Sequence, residues 1–177
     1  MSLVLIIGCM FSGKTTELIS RVERHLAIKR KVLVVNHASD TQRSGQGVIK
    51  THSGRSISCC YAGFIKDVDF AEYDIIAINE GQFFPDLEEA VHELLSLKKE
   101  VIVSGLDADF KREVFSEMMR LVPHATELVK TTALCAVCRD GTPAIYSKRK
   151  NKTTEERVLI GGDDDYIPVC YSCFEST

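Results

Sequence analysis

The sequence predicts an α/β fold: a mainly parallel sheet flanked by helices, followed by a small cysteine-bearing C-terminal lobe. Three observations predict it. Short apolar runs alternate with segments of helical spacing up to Ala133. A glycine-containing turn joins the first run to the first helical segment. Beyond Ala133 helical periodicity fades and two Cys-x-x-Cys pairs appear.

The elements follow in order. Residues 3–7 are an unbroken apolar run, which reads as a buried strand. Gly8-Cys9-Met10-Phe11-Ser12-Gly13-Lys14-Thr15 comes next and matches G-x-x-x-x-G-K-[ST], the phosphate-binding P-loop. Its context is the one the chemistry requires, because residues 15–29 carry Leu18, Val22 and Leu26 on one helical face. Loop N–H groups and the helix N-terminus would form a positive nest for phosphate oxygens. Lys14 would reach the β- and γ-phosphates, and the Thr15 hydroxyl would ligate magnesium. Further strands are expected at 32–35, 75–78, 101–104 and 128–132. Helices are expected at 87–97, with Leu87, Val91, Leu94 and Leu95 inward, and at 114–122. This alternation argues for a P-loop NTPase core over 1–133, with right-handed crossovers. Residues 134–177 form the second unit.

The 177 residues, 45% of them hydrophobic, suffice for a packed core. A net charge of −3 and a pI near 6.0 give no electrostatic case for nucleic acid. The apolar runs fall far short of the roughly 20 residues of a membrane helix, and no basic, leader-like segment precedes the P-loop. A cytoplasmic protein is the expectation. In that compartment seven cysteines argue against disulfides. Cys135, Cys138, Cys170 and Cys173 form two knuckles that supply the four thiolates of a structural zinc site. Roughly thirty residues separate the knuckles, longer than a zinc ribbon's spacing. The insertion is a candidate substrate lid tied at its base by zinc.

The run at 75–78 ends in Asn79-Glu80, which has the form of a Walker B strand. That strand usually carries an Asp that holds magnesium, and Asn79 stands in its place. Glu80 follows, where one division of P-loop enzymes has its general base.

Glu80-Gly81-Gln82-Phe83-Phe84-Pro85-Asp86 resembles the signature of the type II (cellular and poxvirus-like) thymidine kinases, as does Met10-Phe11-Ser12-Gly13-Lys14. Collinear matches follow: Asp40-Thr41, Thr51-His52, Leu106-Asp107 with Phe110, Arg112 and Phe115, Leu128-Val129-Lys130, Thr132-Ala133, Ser147-Lys148-Arg149, and Ile160-Gly161-Gly162 with Tyr166. The resemblance implies phosphoryl transfer from ATP to the 5′-hydroxyl of thymidine, with deoxyuridine also accepted. It implies that Glu80 is the base, that Arg112 stabilises the transferring group, and that Asp40 supports the metal beside Thr15 and Asn79. Met10, Phe83, Leu106, Phe110, Phe115, Ser147 and Tyr166 would line the thymidine pocket. A lasso containing Ile160, Gly161, Gly162 and Asp163 would close over the base. It further implies a homotetramer and feedback inhibition by thymidine triphosphate.

Two positions depart from the family pattern: Asn79 stands for the usual Asp, and Cys9 for the usual Pro. Asn cannot supply the charge that orders hydrated magnesium, so a weaker magnesium affinity is expected, and replacing Asn79 by Asp is expected to lower the magnesium requirement. Three other readings stand beside the thymidine kinase: another deoxynucleoside kinase, an inactive homologue, and a P-loop regulatory ATPase or nucleic-acid-binding module with a zinc ribbon.

Overall fold

The computed structural model describes residues 1–40, 47–51, 53–150 and 165–176. Six parallel strands form the central sheet: β1 (Ser2–Gly8), β2 (Val32–His37), β5 (Cys60–Ala62), β6 (Ile75–Asn79), β7 (Glu100–Leu106) and β8 (Glu127–Thr131). Their order across the sheet is β5-β2-β6-β7-β1-β8. Because every neighbouring pair is parallel, all the C-terminal ends lie along one edge, where ligand sites of open α/β sheets form.

Alternation along the strands sends residues to two apolar layers. Leu3, Leu5, Ile7, Ile76, Ile78, Val101 and Val103 face α2 (Leu87–Ser96) and α3 (Ser116–Arg120), whose Leu87, Val91, Leu94 and Met118 are buried against them. Ile6, Val34, Ala77 and Ile102 face α1 (Lys14–Ala27) through Leu18, Ile19 and Val22. Full burial of each such aliphatic side chain contributes about 1.5–3 kcal/mol.

The predicted α/β class and the five predicted strands are present. Differences are local. The last turn of α1 leaves Leu26 exposed, so its inner face is made by Leu18, Ile19 and Val22 instead. The helix expected at 114–122 covers only Ser116–Arg120. Val114 is spent on an antiparallel bridge to Ala108, Phe115 is extended, and Pro123 sits in a following 3-10 turn, Val122–His124. Between β2 and β6 lie short strands that periodicity did not reveal: β3 (Val48–Lys50) pairs with β4 (Ser56–Ser58), and β5 edges the main sheet.

The C-terminal lobe is built from two antiparallel pairs. β9 (Ala133–Leu134) pairs with β10 (Pro143–Ala144), and β11 (Tyr146–Arg149) with β12 (Tyr166–Val169). A short helix, α4 (Tyr171–Glu175), follows. Its small core contains Ala133, Cys135, Ala144, Val169 and Cys170, and also Cys9, with Phe11 packed against it. The expected lasso residues Ile160, Gly161, Gly162 and Asp163 lie outside the described residues, as do Thr41 and His52.

Candidate active site

The P-loop adopts the geometry its sequence requires. Gly13 has φ 87°, a left-handed conformation that glycine adopts without strain, and it turns the chain into α1. Gly13 has no side chain to cap that helix, and a helix N-terminus presents N–H groups of the kind that bind an anion. Lys14 Nζ donates to Cys9 O at 2.7 Å, folding the ammonium back over the loop. The Ser12 hydroxyl also donates to Cys9 O at 2.8 Å and bonds Thr131 Oγ1 at 2.7 Å, which ties the loop to the end of β8. Met10 N donates to Ser147 Oγ at 2.9 Å. Cys9 itself is buried, with its thiol pushed up by burial, so it packs rather than reacts.

Glu80 sits immediately beyond β6 with φ 55°. Left-handed backbone at a non-glycine residue costs about 1–3 kcal/mol, and such strain gathers at functional sites. Phe11 (φ 63°) and Arg112 (φ 70°) share the feature. The Glu80 carboxylate is held by Gln82, whose Nε2 donates to Oε2 at 2.6 Å. Gln82 is itself anchored, because its Oε1 accepts from Leu106 N at 2.9 Å. Gln82 thus fixes the candidate base to the end of the neighbouring strand. Gly105 is what admits it: a Cβ there would lie 2.6 Å from Gln82 Oε1 and 2.8 Å from Met118 Sδ. The sequence reading gave Gln82 no role.

Asn79 has partners on both sides. Its Oδ1 accepts from Ser104 Oγ at 2.9 Å, and its Nδ2 donates to Asn36 Oδ1 at 3.0 Å. Asn36 Nδ2 donates in turn to Asp40 Oδ2 at 2.8 Å. All four side chains are buried. Neither Asn36 nor Ser104 was singled out from the sequence.

The expected pocket residues fall into groups. Met10 meets Ser147, as above. Phe110 lies under the Arg149 guanidinium, 3.8 Å from its ring centre, and Arg149 Nη2 donates to Tyr166 Oη at 2.8 Å. This buried cation joins two expected pocket walls. Phe83 leans on His37, with ring centres 5.7 Å apart. Phe115 belongs to the main core beside Met118 and Leu121, its N–H donating to Asp107 O. Arg112 is directed toward the C-terminal lobe, paired with Glu175 and stacked on Phe174 at 4.7 Å. Asp109 shapes this loop by accepting from Lys111 N and Glu113 N at 2.8 and 2.9 Å. Lys148 Nζ donates to Cys173 O at 3.0 Å.

The four knuckle cysteines converge. Their Sγ atoms lie within 4.8 Å of one another, with Cys138 3.8 Å from Cys170 and 3.4 Å from Cys173. Zn–S bonds of about 2.3 Å in a tetrahedron set S···S near ~3.8 Å, so the cluster could hold zinc. The contact with Cys173 and the other crowded thiols pushes Cys138 up, while the backbone N–H of Cys138, aided by those of Cys170 and Val137, brings the Cys135 thiol down to about 6. A thiol so placed readily becomes the thiolate that a metal needs.

An anion-binding loop opening a helix, with a carboxylate fixed at the same sheet edge, defines a nucleotide-dependent phosphotransferase. The family model for thymidine kinase matches residues 1–174. A thymidine kinase of Amsacta moorei entomopoxvirus is 36% identical over the whole of both chains. The cytosolic thymidine kinase of Bos taurus is 40% identical over 96% of this chain and 70% of its own, and the thymidine kinase of vaccinia virus (strain Western Reserve) 39% identical over 96% and 94%. The chain belongs to the thymidine kinase family.

Proposed function

We infer that the protein transfers the γ-phosphoryl group of ATP to the 5′-hydroxyl of thymidine, giving thymidine monophosphate, and that it also accepts deoxyuridine. The observation that carries the reading is Glu80, held by Gln82 at the sheet edge where the P-loop opens, in a chain related to thymidine kinases along its full length.

The loop amides and Lys14 bind the donor phosphates. Thr15 and Asp40 offer hard oxygen donors, the kind that suits magnesium, and would hold it, while Asn79, expected as a third donor, has its amide taken up by Ser104 and Asn36. Magnesium held there would supply neutralisation of the phosphate charge. Gln82 occupies Glu80 Oε2, which leaves Oε1 to accept the proton of the attacking 5′-hydroxyl. Arg112 then supplies charge to the transferring group. Its pair with Glu175 is exposed at both ends and worth about 0.2–1 kcal/mol, so a phosphoryl group can displace it. Met10, Phe83, Leu106, Phe110 and Tyr166 suit the flat faces and methyl group of thymine, with Ser147 fixing Met10 and Phe115 supporting from the core. Backbone groups at Ile160, Gly161, Gly162 and Asp163 would read the base edge, closing over the substrate and excluding water. Cys135, Cys138, Cys170 and Cys173 would hold zinc, which would tie together the segments on either side of that loop.

The family reading extends to a cytoplasmic homotetramer inhibited by thymidine triphosphate. No described helix is long and apolar enough to cross a membrane. The test is a panel of nucleosides with ATP and magnesium, scored for monophosphate. Thymidine and deoxyuridine should be phosphorylated. Product from another deoxynucleoside alone would move the specificity. ATPase activity stimulated by DNA, without thymidine monophosphate, would sink the reading.

A further inference from the structure

A line of buried polar side chains runs beneath the candidate phosphate site. Asn36 and Asn79 are directly paired across β2 and β6, and Ser104 lies on the next strand, β7, opposite Ile6 of β1. Two-residue alternation puts them on the face covered by α1, one step beyond Val34, Ala77 and Ile102. They therefore form a polar row at the P-loop end of an otherwise apolar layer. The row ends on Asp40, in the 3-10 turn that follows β2.

The row has a direction, and its far end imposes it. An ionised carboxylate only accepts, so Asn36 must turn its Nδ2 toward Asp40. Its Oδ1 must then face Asn79 and needs a donor, which is Asn79 Nδ2. That leaves Asn79 Oδ1 to accept from the Ser104 hydroxyl. Ser104 to Asn79 to Asn36 to Asp40 is thus a chain of donors all pointing one way and ending on a negative charge, an arrangement in which each bond polarises the next. Every member is satisfied, and none can turn round alone without stranding a neighbour in the protein interior.

We propose that Asn36, Asn79 and Ser104 are positioning residues that aim and hold the Asp40 carboxylate for the nucleotide-bound metal, with Asn79 acting through Asn36. Asn79 is then not a weakened copy of an acidic metal ligand. It is the donor that a neutral relay needs at that strand. This reverses the expectation drawn from the sequence for Asn79→Asp. A carboxylate at 79 keeps the Ser104 bond but faces Asn36 Oδ1 with no proton between them. Asn36 can repair that only by flipping, which turns its oxygen on Asp40. The repair from outside is a group at 36 that donates in both directions, and lysine, with three donors, is one.

The inference rests on the phosphoryl-transfer reading only through the nucleotide–metal complex, so the test reads metal binding without any acceptor. Mn²⁺ is titrated into the protein with ADP, and free Mn²⁺ is followed by electron paramagnetic resonance. Half-maximal magnesium for thymidine phosphorylation is measured alongside. Asn79→Asp should weaken Mn²⁺ binding roughly tenfold or more, the loss of one hydrogen bond to a charged group. Asn36→Lys with Asn79→Asp should return it to within about threefold of the parent, a coupling that independent sites would not show. Equal or tighter binding by Asn79→Asp overturns the proposal, as does a double variant no better than the single one. Should Asn79→Asp fail to fold, Ser104→Ala carries the same test by removing the first donor. It should weaken Mn²⁺ binding in the same direction, and an unchanged affinity overturns the relay. A parent protein that binds Mn²⁺–ADP but makes no thymidine monophosphate would fail the functional reading and leave the relay standing.

Discussion

Replacing Gln82 by Met removes two hydrogen bonds while keeping volume and flexibility. The structure sets the size of the effect. Leu106 N–H loses its acceptor at a half-buried place, which costs about 1–3 kcal/mol. The bond to the Glu80 carboxylate is charge-assisted, nominally about 1.5–3 kcal/mol, but Glu80 is partly exposed and water recovers much of that. A net loss of about 2–4 kcal/mol is expected. At about 2–4 °C per kcal/mol for a chain of this size, melting should fall by roughly 5–15 °C. The functional effect is separate. Without Gln82 the carboxylate samples other rotamers, so kcat should fall roughly 10–100-fold, part of the 10²–10⁴ that a general base supplies, while the KM for thymidine moves only a few-fold. Steady-state kinetics at saturating ATP and magnesium, with melting curves on the same samples, measures both. A folded variant with parental kcat would refute the claim that Gln82 places the base. A loss confined to stability would assign Gln82 to Leu106 alone.

Glu80→Gln should lower kcat by roughly 10²–10⁴ with little change in melting, and parental turnover would remove Glu80 from the role of base. Arg112→Ala should lower kcat by roughly 10²-fold or more, as loss of transition-state charge stabilisation does. Its melting midpoint should barely move, because the Glu175 pair is exposed, and a large stability loss with unchanged kcat would make Arg112 structural. Removing zinc with a strong chelator should loosen the C-terminal lobe, seen as faster hydrogen exchange in β9–β12, and should abolish thymidine binding. A metal-free protein with unchanged exchange would show that the cysteines hold nothing structural.

What the sequence revealed was local in the chain. A P-loop is eight consecutive residues, a buried parallel strand is one apolar run, and a knuckle is four residues. Each announces itself without knowledge of its neighbours. What it concealed was lateral. Asn36, Asn79 and Ser104 are separated by 43 and 25 residues, and only the pairing of β2, β6 and β7 sets them side by side. Asn79 drew notice for what it lacked, whereas its meaning came from a partner on another strand. Gln82 stood inside a recognised motif, yet its anchor, Leu106 N, lies on the far side of a helix and a strand. The three-residue strands β3–β5 are too short for a period of two to register. Arg149 is buried despite its charge, because Tyr166 and Phe110, distant in the chain, give its guanidinium a hydroxyl and a ring face.

The sharing of the C-terminal lobe's core with Cys9 and Phe11 has a consequence for how the two substrates are handled. The P-loop is backed by the lobe that carries β11 and β12, and Met10 is latched to Ser147 across the same seam. On the proposed assignment of the sites, donor and acceptor stations therefore share one frame. A chain cut after Ala133 would not be a smaller nucleotide binder. It would be a loop stripped of its backing, with a buried thiol and an aromatic ring turned out into water.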